Sequence, residues 1–298
     1  MNPLTHSHSF FSLFVSSFQL YRKHFLPMVL LTGVLLIPSM LLGIGGLIGA
    51  EILLFFLMWQ VLDGAMALGV IGLAFGLTFP IVGILNTLRS RVFWGAMHIA
   101  VLRCLLFFGM IGMMGTPFPI NVMMVALWLF SLFAFSLAQP VYMVEQIRGM
   151  PALARSFKLV RTKLARVFGV FMIIIIMLEL FLQSLMNTFI SEDDVERLER
   201  LQSGLVTKSQ VDYTDIIGLF SQSLEIVIDP YRWSLYLVGI FFFPFAAILL
   251  GLLYFDLAHR ESGFQLERME QLSRRLFGAP PQGPQAAEPP ERPEGKEQ

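Results

Sequence analysis

Residues 167–190 read VFGVFMIIIIMLELFLQSLMNTFI. This stretch meets the length of roughly 20 apolar residues that a helix needs to cross the hydrocarbon core. One carboxylate, Glu179, sits near its middle. Five further apolar stretches resemble it in length. Together they predict an all-α, polytopic membrane helix bundle with spans at about 26–48, 65–88, 97–115, 121–145, 167–190 and 233–256, ends good to ~2–4 residues.

Composition agrees. The 298 residues are 56% hydrophobic and 14% charged, with 29 Phe and 17 Met, and the mean hydropathy is +0.70. Soluble domains carry about 25% charge. The single cysteine, Cys104, excludes an intramolecular disulfide and a CxxC metal site. Arg22 and Lys23 precede the first apolar run, and no small-residue cleavage site follows it, so the run reads as a retained span.

Net charge is zero, but the charges are segregated. Lys and Arg collect in short cytoplasmic loops. Arg22 and Lys23 precede span one; Arg89 and Arg91 follow span two. Arg148, Arg155, Lys158, Arg161, Lys163 and Arg166 lie between spans four and five, with no acid among them. Arg260, Arg268, Arg274, Arg275, Arg292 and Lys296 follow span six. These groups alternate as a six-span protein with both ends cytoplasmic requires. Between spans five and six nine acids face four bases, which suits an outer loop. The short apolar run 52–59 is bracketed by Glu51, Gln60 and Asp63, and 52–62 reads as an interfacial helix.

Other segments lie at the surface or beyond it. In residues 1–25, Phe10, Phe14, Phe18, Tyr21 and Phe25 form the apolar stripe of an amphipathic helix. Leu153, Phe157, Val160, Leu164 and Val167 form a second stripe, with Pro151 suited to that helix's first turn. Ser191 with Asp194 resembles a capping box, and Gly204 a helix stop. Residues 261–278 read as a cytoplasmic helical extension. Residues 279–298, rich in Pro and Glu, cannot bury a core and are expected to be disordered. Gly45 with Gly49, and Gly69, Gly72, Gly76 and Gly83, suggest close helix packing. Pro38, Pro80, Pro140 and Pro244 are candidate kinks.

Chemistry is sparse. Glu179 is a candidate intramembrane polar site with Gln183 one turn on. A charge at the bilayer centre costs about 2.5–3.5 kcal/mol on insertion scales, so it is neutralised, paired or hydrated. Arg103 either pairs with Glu179 or snorkels to the interface. Glu145 with Arg148, and Asp256 with Arg260, have the spacing of helical ion pairs and suit a role fixing helix ends against the basic helix. Arg155, Lys158, Arg161, Lys163 and Arg166 suit contact with anionic lipid. Their place beside a bilayer argues against nucleic acid. The five histidines form no metal motif, and no GxSxG, P-loop or βαβ glycine signature occurs, so neither a metal nor a cofactor is implied.

Two stretches carry a resemblance. AQPVYMVEQIRGMPALARSFKLVR contains Gln139, Pro140, Glu145, Gly149, Ala152, Ser156 and Leu159. LLYFDLAHRESGFQLE contains Tyr254, Asp256, Leu257, Arg260, Glu261 and Gly263. With LYRKHF at 20–25, they resemble a bacterial membrane-domain family related to the membrane portion of glycerophosphoryl diester phosphodiesterases. Ala258 departs from it, where relatives commonly carry Arg. The resemblance implies a six-span inner-membrane protein. It implies no hydrolysis, because that chemistry belongs to a separate soluble barrel for which this chain has no room. The functional expectation is a non-catalytic scaffold or accessory subunit, working with a membrane partner or a second copy. A transporter or channel using Glu179 is the alternative, and a lipid-acting membrane enzyme is third.

Overall fold

The computed structural model describes residues 9–112, 120–189, 196, 200, 213–261 and 266–278. They form α1 (Phe10–Lys23), α2 (Phe25–Ile44), α3 (Ile48–Ala74), α4 (Ile81–Leu88), α5 (Arg91–Gly112), α6 (Ile120–Ala134), α7 (Ala138–Glu145), α8 (Met150–Thr162), α9 (Leu164–Phe189), α10 (Tyr213–Arg260) and α11 (Leu266–Phe277). No strand occurs among the described residues. The chain is an all-α polytopic bundle. Among the described residues, five stretches are long and apolar enough to cross a membrane: Phe25–Ile44, Gly49–Ala74, Val125–Glu145, Leu164–Leu185 and Tyr236–Arg260. The expected span 97–115 falls on α5 and runs past its last described residue. The outer-loop capping box and the tail 279–298 lie outside the described residues.

The largest correction concerns the second span. Residues 52–62 are not an interfacial helix; they belong to α3, 27 residues without a break. The expected span 65–88 is instead cut at Ala74. Gly76 takes φ 81°. The Leu77 N–H reaches the Gly72 carbonyl at 3.0 Å and the Gly76 N–H reaches Leu73 at 3.2 Å. This paired closure is the Schellman stop, which satisfies the last carbonyls of a helix and favours glycine at the left-handed position. Pro80 then opens α4. The same device ends α2: Gly46 has φ 76°, and Leu47 and Gly46 donate to Leu42 and Gly43, each at 3.0 Å. Glu51 and Asp63 thus fall inside α3 rather than in a loop, and both are buried.

The fourth expected span is two helices, α6 and α7. The Ser156 hydroxyl of α8 bridges the break, donating to the Ala134 carbonyl at 2.9 Å and accepting from the Leu137 N–H at 3.2 Å. Pro140 falls in the first turn of α7, where no helical N–H is required. The sixth expected span is part of α10, 48 residues long, which begins at Tyr213. Residues 213–232, read as outer loop, therefore continue the same helix.

The core is centred on α3 and α10. Of their most apolar windows 72% and 83% of residues are buried, against 33% for α2 and 17% for α9. Gly251 lets the two central helices approach: a Cβ there would meet the Ala67 backbone at 3.4 Å. The other glycines act differently from the expected span-to-span seam. Gly69 faces the Phe79 ring, and Gly72 faces Pro80. Gly83 receives Phe277 of α11, whose ring would lie 2.5 Å from an added Cβ. Gly49 faces open space. The amphipathic α11 buries Met269 and Ser273 and covers the ends of α3 and α4. Ser9 caps α1, its hydroxyl accepting from the Ser12 N–H at 3.1 Å. That helix packs along α10 through Phe14 and Tyr21 against Phe245.

Candidate functional site

Among the described residues, two clusters of charged side chains stand out, and neither contains Glu179. The first is internal. α3 carries Gln60 and Asp63 on adjacent turns, and α5 presents Arg103 and Cys104 to them. The Arg103 guanidinium stands 3.9 Å from Asp63 Oδ2, with both side chains largely buried. That is the outer limit of an ion pair and too long for a hydrogen bond. Gln60 Nε2 donates to Cys104 Sγ at 3.7 Å. In and next to this cluster, four buried atoms have no hydrogen-bond partner among the described residues: Trp59 Nε1, Gln60 Oε1, Asp63 Oδ1 and Arg103 Nη1. A small cavity of about 30 Å³ adjoins Gln60 and Arg103, closed by Ser131, Leu106, Leu132 and Phe135. It has room for a water molecule, and unpaired polar atoms are what hold buried water. The site sets a cation, a carboxylate and an amide carbonyl close together, beside a void with mostly apolar walls that Gln60 and Arg103 border.

The sequence singled out Arg103 but not its partner. Arg103 does not pair with Glu179; it meets Asp63. Asp63 was hidden by the reading of 52–62 as interfacial. The available signal was one opposite charge in each of two neighbouring apolar stretches.

The second cluster closes the end of the bundle where α8 lies. Arg155 Nε is 3.1 Å from Glu145 Oε2, and its Nη1 contacts Glu261. Lys158 Nζ reaches Glu261 Oε1 at 2.7 Å, and the Tyr254 hydroxyl donates to Glu145 at 3.0 Å. Asp256 accepts from Arg260 at 3.1 Å and lies 3.1 Å from Arg166 Nε. Burial works to lower the Arg155 guanidinium, and Glu145 and Glu261 more than reverse it. The Lys158 ammonium, with Arg155 beside it, holds the Glu261 carboxyl below the usual carboxylate range.

The local fold explains the pairing. α7 stops at Glu145 because Gln146 adopts φ 59°, so the helical Glu145–Arg148 spacing is lost. Arg148 lies beside the Tyr142 hydroxyl instead. Gly149, at φ 64° and ψ −139°, turns the chain into α8, and Pro151 occupies its first turn. Gln139 Nε2 donates to the Ala96 carbonyl at 2.8 Å, tying α7 to α5. Of the five cations expected to meet lipid, Arg155, Lys158 and Arg166 have carboxylate partners within the chain. Arg161 lies over the Phe157 ring at 6.0 Å, and Lys163 is exposed where α8 gives way to α9.

A third buried acid, Glu51, accepts from the Tyr236 hydroxyl at 2.8 Å. Gly43 makes room for it, since any side chain there would overlap the carboxylate. Glu179 and Gln183 are both exposed on α9, with Gln183 Nε2 donating to Glu179 Oε1 at 3.3 Å. Among the described residues no His, Cys, Asp and Glu group could hold a metal ion. No family model, curated protein or solved structure matches the chain.

Proposed function

We propose that this chain is a non-catalytic membrane scaffold or accessory subunit that docks a partner membrane protein on α9. One observation carries the reading. α9 is long and apolar enough to cross a membrane, only 17% of its apolar window is buried, and its outer face displays Glu179 and Gln183. A carboxyl facing hydrocarbon is costly. A polar group on a partner helix would satisfy it, as polar side chains do between membrane helices.

The topology proposed with it has six spans: α2, α3, α5, α6 with α7, α9 and α10. Moving the second span from 65–88 to 48–74 keeps the alternation, because Arg89 and Arg91 still follow it. Both ends are then cytoplasmic, in a bacterial inner membrane. The proposed kinship is with the membrane-domain family named above. Its support is that Gln139, Glu145, Gly149, Ser156, Tyr254, Asp256 and Glu261, which carry the resemblance, lie in or beside the α7–α8–α10 junction.

Extraction in native lipid particles, followed by mass spectrometry of co-purifying proteins, tests the docking. Wild type and Glu179→Gln retain the partner, since the amide keeps the hydrogen bond. A variant with both Glu179→Leu and Gln183→Leu loses it. Retention by the leucine variant refutes docking through this face.

A second reading is transport, now centred on Gln60, Asp63 and Arg103 rather than Glu179. The unpaired buried atoms of these three side chains favour it, with a small cavity against Gln60 and Arg103. It requires flux in reconstituted vesicles that Asp63→Asn abolishes.

A further inference from the structure

Between α1, the start of α2, α9 and α10 lies a second cavity, of about 460 Å³. That volume falls within the range of about 300–1,000 Å³ typical of small-molecule sites. Seven aromatic rings and Met177 line it, including Tyr21, Phe25, Phe181, Phe242 and Phe245. The one hydroxyl in the lining is Tyr21, and it is already engaged, donating to the Phe241 carbonyl at 2.5 Å. The wall therefore offers an occupant apolar contact and no free side-chain hydrogen-bonding group.

The occupant must be thin. A helix with its side chains is about 10–12 Å across and does not fit this volume along any useful length. A hydrocarbon chain does. Charge defines the other end of the ligand. Arg22 and Lys23 follow Tyr21 directly in the last turn of α1. Arg22 is four residues after Phe18 on α1, so it extends the face of that helix that carries Phe18. Both cations are exposed, and neither has a carboxylate partner among the described residues. This distinguishes them from Arg155, Lys158 and Arg166, whose charge is met inside the chain.

We infer that this groove is a lipid site. It takes one acyl chain of an anionic phospholipid, whose headgroup phosphate rests on Arg22 and Lys23. The site is separate from the α9 docking face, because Glu179 and Gln183 are not part of its lining.

The full chain in phosphatidylcholine vesicles, doped with phosphatidylglycerol carrying a photoactivatable tail, tests this. Cross-linked peptides are mapped by mass spectrometry. The label is expected on the peptides around Met177–Phe181 and Phe241–Phe245. Arg22→Gln and Lys23→Gln each reduce phosphatidylglycerol labelling there by about fivefold, while labelling by a matched phosphatidylcholine probe is unchanged. Met177→Trp, which fills the groove, reduces both. Because Arg22 and Lys23 are exposed, their variants keep the fold and remain informative if the tryptophan variant does not express. Equal labelling by the two lipids in wild type overturns the proposal. So does labelling that ignores the charge variants, and so does a protein–protein cross-link through the groove in place of the lipid.

Discussion

α3 and α9 invite comparison. Both are long apolar helices, 27 and 26 residues, and both carry one carboxylate near the middle. Their surroundings are opposite. The apolar window of α3 is 72% buried and that of α9 is 17% buried. Asp63 points into the bundle towards Arg103, whereas Glu179 points out of it beside Gln183. A hydropathy profile treats the two acids alike. The difference teaches that an intramembrane charge means one thing when the bundle supplies its partner and another when the bundle does not. Asp63 belongs to the internal architecture; Glu179 is addressed to whatever lies outside.

The sharpest way to break the comparison is to remove the inner acid. Asp63→Leu leaves the Arg103 guanidinium buried without its carboxylate and is expected to cost about 3–5 kcal/mol. Thermal unfolding in detergent should show a large fall in Tm. Adding Arg103→Leu should recover most of it, because an apolar pair replaces a stranded charge. A small effect of the single variant would mean that the 3.9 Å contact is irrelevant to stability.

Next in size is the cover over the central helix. Gly83→Val thrusts methyl groups into the Phe277 ring, and overpacking of this kind costs about 1–3 kcal/mol. The expected result is detachment of α11, read as faster proteolysis within residues 266–277. Phe277→Ala in the same chain should relieve the clash while leaving the helix loosely held. Unchanged protection in the valine variant would show that α11 does not depend on this contact.

Smaller still is the half-exposed network at the α8 end. The Glu261 carboxyl is held below its ordinary value by Lys158 and Arg155. Its contribution is therefore complete above the unfolded carboxylate value, about 4.3, and is lost as pH falls through the depressed folded value. Stability measured from pH 7 downward should decline less steeply at the acid end in Glu261→Gln than in wild type. Parallel curves would rule out a contribution from this carboxylate.

The smallest effect should come from Glu179→Gln. The side chain is exposed on α9, and exposed substitutions usually fall within about 0.5 kcal/mol. The Tm of the isolated protein should not move. A loss approaching that of Asp63→Leu would erase the contrast between the two helices.

Much of the architecture was legible from residue order. Runs of some twenty apolar residues demand helices, because unpaired backbone groups are not tolerated in hydrocarbon. That argument located α2, α9 and the membrane-length part of α10. It misplaced α3 because Glu51, Gln60 and Asp63 look like the flanks of a surface segment when their partners are unknown. It also passed over the Gly76 stop and the Pro80 start, reading Gly76 as part of a packing face and Pro80 as a kink. Spacing within one helix anticipated Asp256–Arg260. It did not anticipate Glu145–Arg155, because a turn through Gln146 and Gly149 intervenes.

The amino-acid sequence by itself determined that this is an all-helical membrane protein, which residues are too polar to face lipid without compensation, and where basic residues gather. These are properties of short windows, set by hydrophobicity and backbone hydrogen bonding. Only the tertiary structure decided which face of each helix turns inward. It joined Asp63 to Arg103, left Glu179 at the surface, and folded a ring-lined groove beside Arg22 and Lys23. Those outcomes depend on packing between segments far apart in the chain, and no local pattern encodes the rotation of one helix against another.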